Sequence, residues 1–331
     1  MIPLMIVLSG AVSRAGDLAG YRLLVVSMST GDTELFIVDP QSGDARNLSR
    51  SPGSSERYAS WSPDGERVAF TSDRDGTYNL FIVDADGRNL RQLTHEKAPM
   101  VAGMQSWTAD GRSIYFGLFG KKEPLMCRIS PEGSDFKVVG EGIDPAVSPD
   151  GKTIAFARKL QKGHCLFAMD ADGGNIRRLT QRENEFAGVH PTWSPNGKKI
   201  IYADRVGDAL ELFSIDPDGK EARQLTFLRQ AATSPSVSPD MKWISFRLCD
   251  EVYWRDAASS DRAYKEKRAD KRPVWVMGFD GSDPHVIETL RYQVTIDGSR
   301  AAWKPADRRP AGRTGNVPLD RKSPEIPGCR L

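Results

Sequence analysis

The phrase Trp61-Ser-Pro-Asp-Gly65 recurs along the chain, and this repetition constrains the fold more than any other feature. It returns as Trp107-Thr-Ala-Asp-Gly111, Val147-Ser-Pro-Asp-Gly151, Trp193-Ser-Pro-Asn-Gly197 and Val237-Ser-Pro-Asp-Met241. Successive copies start about 40 to 46 residues apart, the period of a four-stranded propeller blade. Between Tyr58 and Thr94, short β-branched and aromatic runs alternate with turn residues, which predicts antiparallel strands A, B, C and D from a central axis outwards. Ser62-Pro63-Asp64-Gly65 suits a type I turn followed by a left-handed residue, and Asp84-Ala-Asp-Gly87 supplies the C–D turn. A unit of this size cannot bury both faces alone, so neighbours must stack around an axis.

The first copy begins mid-repeat. Tyr21 to Ser27 reads as strand B, Glu34 to Asp39 as C and Ala45 to Ser49 as D, with no strand A ahead of them. At the far end, Val286 to Leu290 reads as a last strand D and is followed by Ala301-Ala-Trp-Lys-Pro305. Leu290 and Trp303 are 13 residues apart, as are Leu48 and Trp61. The spacing predicts that 299–305 supplies the missing strand A. The expected fold is all-β: a six-bladed β-propeller of four-stranded antiparallel blades, its first blade closed by a C-terminal strand. Such closure removes the unpaired edges that invite aggregation.

Composition adds boundaries rather than partners. Among 331 residues the net charge is +2, which points to no nucleic-acid or acidic partner. Cys127, Cys165, Cys249 and Cys329 lack metal-type spacing. Ile2 to Leu8 form a short apolar run, and Ser13-Arg14-Ala15 places small residues around a cleavage point. Residues 1–15 are therefore expected to be a signal peptide, 16–305 the propeller and 306–331 a disordered basic Pro- and Gly-rich tail. No later run approaches the roughly 20 apolar residues of a membrane-spanning helix. A monomer is expected.

The tandem W-[ST]-P-D-G-x-x-[IV]-[AI]-[FY], the [LI]-[FY]-x-[MIV]-D-x-D-G turn and R-x-L-T together resemble the TolB-type propeller repeat over about residues 21–305. Ala301-Ala-Trp-Lys-Pro305 is also similar to the short closing strand of that family. The resemblance implies a periplasmic, non-enzymatic module of the Tol–Pal envelope type. The family's α/β domain ahead of the propeller is not expected here, since blade strands begin near Tyr21.

Candidate sites divide by chemistry. The acidic turns at Asp84, Asp170 and Asp216 are too short for a calcium loop of about 12 residues. There is no Gly-x-Ser-x-Gly elbow for nucleophilic hydrolysis. Oligogalacturonate lyases also resemble this repeat and imply, as the alternative, a metal-dependent polysaccharide lyase with a histidine-rich channel site. His95, His164, His190 and His285 occupy unlike positions in their repeats, so no metal or other cofactor is expected. Strand A carries a better signal. One residue before the Trp/Val anchor stand Ser60, Ser106, Ala146, Thr192, Ser236 and Ala302, all small. Three before it stand Tyr58, Met104, Asp144, His190, Ser234 and Arg300, all different. Strict alternation would put both sets on one face, giving a narrow throat and a chemically varied mouth. The long B–C connection from Cys249 to Arg272 adds Tyr253 and Trp254, aromatic residues among charges that suit a protein contact. The expected function is an exported binding or scaffolding module, with a protein partner docking at the channel mouth.

Export sets the first test. Protein isolated from its native host is expected to start at Gly16 or close by in mass spectrometry; a cytosolic protein retaining Met1 or Ile2 would refute the signal reading.

Overall fold

The computed structural model describes residues 18–27, 32–97, 101–120, 123–181, 188–249, 273–290 and 302–304. These residues form antiparallel units, and no α-helix occurs among them. Blade 1 holds β1 (Leu23–Ser27), β2 (Glu34–Val38) and β3 (Ala45–Asn47). Blade 2 is β4 (Glu56–Trp61), β5 (Arg67–Ser72), β6 (Asn79–Asp84) and β7 (Arg91–Gln92). Blade 3 is β8 (Val101–Trp107), β9 (Ile114–Phe119), β10 (Leu125–Ile129) and β11 (Lys137–Glu141). Blade 4 is β12 (Ile143–Val147), β13 (Thr153–Leu160), β14 (Gly163–Asp170) and β15 (Arg177–Arg178). Blade 5 is β16 (Val189–Trp193), β17 (Ile200–Val206), β18 (Ala209–Ile215) and β19 (Arg223–Gln224). Blade 6 is β20 (Ala231–Val237), β21 (Trp243–Cys249), β22 (Val274–Gly278) and β23 (His285–Val286). A single parallel bridge, Leu210 to Ala231, links blades 5 and 6.

The A–B turns show why Ser, Asp and Gly recur. The Gly65 N–H donates to the Ser62 carbonyl at 2.9 Å, and the Arg67 N–H to Ser62 Oγ at 2.9 Å. The Ser62 hydroxyl in turn donates to the Asp64 carboxylate, which also accepts the Glu66 N–H at 3.0 Å. The same network returns at Thr108 with Asp110, Ser148 with Asp150, Ser194 with Asn196 and Ser238 with Asp240. The Thr108 and Ser148 hydroxyls hold the Asp110 and Asp150 carboxyls below the usual carboxylate range. These ionised turns therefore favour the folded state above the ordinary carboxylate pKa, a contribution lost as pH falls. The turn closes on a left-handed residue, Gly65 at φ +70° and Gly151 at +72°; Met241 adopts +62° at the same place without the freedom of glycine.

Alternate residues of each central strand enter opposite interfaces. Val68 and Phe70 pack with Leu24, Val26 and Leu35 of blade 1, whereas Ala69 packs with Ile114 and Phe116 of blade 3. Cross-strand aromatic stacks repeat at Phe70–Phe81, Phe156–Phe167 and Tyr202–Phe213, with ring centroids 5.8–5.9 Å apart. Each such side chain stabilises the fold by about 1.5–3 kcal/mol on burial. The Leu-Thr phrase of strand D serves two tasks. Leu93, Leu179 and Leu225 are buried in these interfaces. Thr94, Thr180 and Thr226 accept the N–H of Leu80, Leu166 and Leu212 at 2.8–3.0 Å, tying strand D to the start of strand C. At the C–D turn, a Cβ on Gly173 would overlap the Val139 carbonyl oxygen of blade 3, so close blade approach demands glycine there.

The expected closing strand is present as β24 (Ala302–Trp303), giving a sheet ordered β24-β1-β2-β3. Leu23 pairs with Trp303 and Leu24 with Ala302, and the Lys304 N–H donates to the Arg22 carbonyl at 2.8 Å. The Trp303 indole N–H donates to the Ser236 carbonyl of blade 6 at 3.0 Å. Tyr21 meets Trp303 edge-on at 5.0 Å, and its hydroxyl donates to Asp240 of blade 6 at 2.5 Å. The inner strands β24, β4, β8, β12, β16 and β20 touch in succession, and β20 touches β24. One expectation needs correction. The last strand D is His285–Val286 alone, and Glu288–Leu290 is a 3-10 turn rather than strand. Residues 1–15 and 306–331, with the expected signal and tail, lie outside the described residues.

Deleting everything after Asp297 should therefore expose an edge on blade 1, remove the Trp303 contacts and lower the melting temperature sharply. Deleting only 306–331 should leave it nearly unchanged; calorimetry showing equal melting of both truncations would reject closure by this strand.

Candidate functional site: the axial cavity

The inner strands do not alternate regularly. In β4 the register slips between Arg57 and Ser60, which oppose Thr71 and Ala69, so strand A holds one extra residue. The same slip occurs between Gly103 and Ser106, Ile143 and Ala146, Val189 and Thr192, and Thr233 and Ser236. Each is a β-bulge, and each contains a residue in the left-handed region. Tyr58, Met104, Asp144, His190 and Ser234 have φ of +51°, +57°, +55°, +53° and +54°. These are the positions three before the anchor. None is glycine, although the conformation disfavours L side chains by about 1–2 kcal/mol each.

A cavity of about 250 Å³ opens at the axis, lined by residues of all six blades. Tyr58, Met104, Asp144 and His190 share it with Ser60, Ser106, Ser236, Ala302 and the anchors Trp61, Trp107 and Trp303. Four of the small residues expected to form a throat, Ser60, Ser106, Ser236 and Ala302, are thus brought together with four of the varied set, whereas Ala146 and Thr192 do not line the cavity. Ser234 does not line this cavity. Arg300, Tyr253 and Trp254 lie outside the described residues. The bulge also changes exposure from that of a simple open mouth: Tyr58 and Met104 are half-buried, while Asp144, His190 and Ser234 are 3%, 7% and 0% exposed.

Hydrogen bonds run circumferentially between blades. The His190 backbone N–H donates to Asp144 Oδ2 at 2.9 Å, and the His190 imidazole Nε2 lies 3.8 Å from that oxygen. The Val147 N–H donates to Ser106 Oγ at 3.1 Å, and the Trp193 indole N–H to the Ala146 carbonyl at 2.9 Å. Gln105 also lines the cavity, donating from its amide to the Ala69 carbonyl at 2.8 Å. Sequence reasoning missed Gln105 because it lies at an unremarkable position between two singled-out ones.

The other histidines stand elsewhere. His95 is exposed in the connection after β7, His164 lies on β14, and His285 lies on β23 with its ring against Trp243. Among the described residues, no group of three or more His, Cys, Asp or Glu side chains gathers as metal ligands would. The acidic Asp84 and Asp170 turns instead accept hydrogen bonds from Asn89 and Asn175, both at 2.6 Å.

The family model described as the TolB beta propeller domain matches residues 15–143 and 76–251, more than half of the chain. The chain belongs to the TolB β-propeller family. Its similarity to the Tol-Pal system protein TolB of Anaeromyxobacter dehalogenans is 29% identity over 41% of this chain and 32% of the relative. To the uncharacterized peptidase YuxL of Bacillus subtilis it is 28% over 30% of this chain and 21% of the relative. The matched segments thus span a third or less of these two relatives. Among solved structures, TolB from Acinetobacter baumannii superposes with a TM-score of 0.64 at 20% identity, covering 86% of this chain and 66% of that one. An oligogalacturonate lyase in complex with manganese gives 0.55 at 18%, covering 80% and 73%. At such identities the likeness is one of fold. Among the described residues, no helix is long and apolar enough to cross a membrane.

The Asp144 carboxylate is the acceptor for a buried amide of the next blade. Asp144→Asn keeps an acceptor and tolerates the left-handed backbone, and should cost under about 1 kcal/mol in urea unfolding. Asp144→Ala loses both and should cost about 2 kcal/mol or more; equal stability of the two variants would show that this bond contributes nothing.

Proposed function

We propose that this TolB-family propeller is a non-enzymatic binding or scaffolding module of an exported compartment, and that a protein partner docks over the axial cavity. The observation that carries the reading is an axial cavity reached by all six blades, at which four of them present chemically different side chains, Tyr58, Met104, Asp144 and His190. A repeat fold supplies identical backbones, so side-chain variety on one ring is where recognition can be encoded. Ser234, Arg300 and the aromatic pair Tyr253 and Trp254 are the further proposed contacts. Aromatic and Arg side chains commonly dominate such interfaces, with truncations costing about 2 kcal/mol or more. The name "Tol-Pal system protein" of one relative supports a place in a multi-protein system.

The alternative is a metal-dependent polysaccharide lyase, supported by one observation, the nearness of His190 to Asp144. The scattering of the other histidines over unlike strands favours the binding reading.

Affinity capture from an envelope extract, compared between the wild-type chain and a Trp254→Ala, Arg300→Ala double variant, tests the proposal. Tyr58→Asn, which keeps the left-handed backbone accessible, serves as a second variant. A partner captured by wild type should be lost by folded variants. Its retention by both would reject this face, and manganese-dependent cleavage of polygalacturonate by the purified chain would favour the lyase.

A further inference from the structure

The A–B turn of blade 5 differs from its counterparts by one functional group. Blades 2, 3, 4 and 6 place Asp64, Asp110, Asp150 and Asp240 third in the turn, whereas blade 5 places Asn196 there, followed by Gly197. This is the one Asn-Gly pair in the chain. The turn uses the side chain only as an acceptor. Asn196 Oδ1 accepts the Ser194 hydroxyl at 2.7 Å and the Lys198 N–H at 3.0 Å. Asp150 Oδ1 does the same with the Ser148 hydroxyl at 2.6 Å and the Lys152 N–H at 3.0 Å. Asn196 is exposed, and among the described residues its Nδ2 amide has no hydrogen-bond partner. The backbone N–H of Gly197 donates to the Ser194 carbonyl at 2.8 Å, with Gly197 in the left-handed region at φ +71°.

We propose that Asn196 is a spontaneous modification site, at which the side-chain amide converts to a carboxylate through a cyclic imide with Gly197, and that the closed turn holds this conversion back. A glycine after asparagine carries no Cβ to shield its backbone nitrogen, which makes such a pair labile. In the first step the Gly197 nitrogen loses its proton to solvent and bonds to Asn196 Cγ. The Cγ–Nδ2 bond breaks, a proton returns from solvent, and the amide nitrogen leaves as ammonia. Water then opens the imide. Its addition at Cγ gives aspartate; its addition at the main-chain carbonyl gives isoaspartate, whose backbone is one carbon longer. The folded turn opposes the first step twice, because the Gly197 N–H is committed to the Ser194 carbonyl and two hydrogen bonds to Oδ1 hold Cγ in place. Conversion therefore waits on local opening of the turn. The products then differ in effect. Aspartate restores the arrangement already present at Asp150, since the turn needs only Oδ1. Isoaspartate lengthens the ring closed by the Gly197–Ser194 hydrogen bond and loosens the link between β16 and β17.

The full chain is incubated at mildly alkaline pH, folded and in denaturing urea, and the peptide carrying Asn196 is followed by mass spectrometry against synthetic aspartate and isoaspartate standards. In urea, Asn196 should convert faster than every other asparagine of the chain. In the folded chain it should convert more slowly by about tenfold or more, as expected of a turn that is closed most of the time. Ser194→Ala, which removes the hydroxyl bond to Oδ1, should speed the folded-state reaction. Should that variant fail to fold, hydrogen exchange at the Gly197 amide of wild type measures the same opening, and its protection should match the slowing. Asn196→Asp should melt with wild type. Absence of conversion at Asn196 in urea would overturn the site. Equal rates in the folded chain and in urea would overturn the protective role of the turn. An Asn196→Asp chain melting well below wild type would overturn the equivalence of the aspartate product.

Discussion

Burial of both faces of every blade is the constraint on which the rest of this structure depends. A four-stranded sheet with apolar residues on both sides is stable only between two neighbours, and in this chain the alternation is sharp. Phe70 belongs to the interface with blade 1 while adjacent Ala69 belongs to that with blade 3. That requirement explains devices which look unrelated in the sequence. Glycine at 173 lets the C–D turn of blade 4 lie against the strand-D backbone of blade 3. The strand-D leucines fill the same seams, and their threonines keep strand D attached although it is only two residues long in most blades. Nor can the requirement stop at the ends of the chain, which is why a two-residue strand from near the C-terminus pairs with the first strand.

The repeat grammar made much of this legible. Turn chemistry is local, so Ser-Pro-Asp-Gly announces its own hydrogen bonds, and the Ala-Trp phrase at 302–303 announces the strand that pairs with β1, although Ile287 rather than Leu290 stands at the strand-D leucine position from which its spacing was counted. The same locality explains where the reading stopped. A left-handed residue in a strand is ordinarily marked by glycine, but here Tyr58, Met104, Asp144, His190 and Ser234 carry it, and nothing in those residue types announces a bulge. Period-two reasoning singled out these positions and assumed a regular strand, so it anticipated an open mouth. With one residue added in each bulge, Asp144, His190 and Ser234 are buried instead. The shortening of the last strand D to His285–Val286 was equally hidden, since Ile287 keeps the buried role of the usual leucine while the backbone turns.

The bulge has a second meaning when its recurrence is considered. A single strained residue is a local accident, but five at one level of one ring show that the fold imposes this conformation whatever the side chain. Its cost, about 1–2 kcal/mol per residue, is offset by packing that is itself generic, the seams between blades. Side-chain identity at these positions is thereby released from the duty of holding the backbone. That separation is what a recognition surface needs: a rigid frame with substitutable contacts, placed around a cavity that all blades reach.

The Asp144–His190 contact shows how far the separation goes. Where the ring supplies a carboxylate, the amide of the next blade is satisfied internally and both residues are buried. At Met104 the ring supplies a thioether instead, and that side chain is half-buried beside the cavity. One residue choice thus sets which chemistry a given arc of the ring presents. The frame alone cannot define a function, because the same backbone conformation carries Asp in one blade and Met in its neighbour. The buried pair Asp144 and His190 marks one arc of the ring, and half-buried Tyr58 and Met104 mark the next. Exposure at the axis is therefore one-sided, greater at Tyr58 and Met104 on blades 2 and 3 than at Asp144 and His190 on blades 4 and 5.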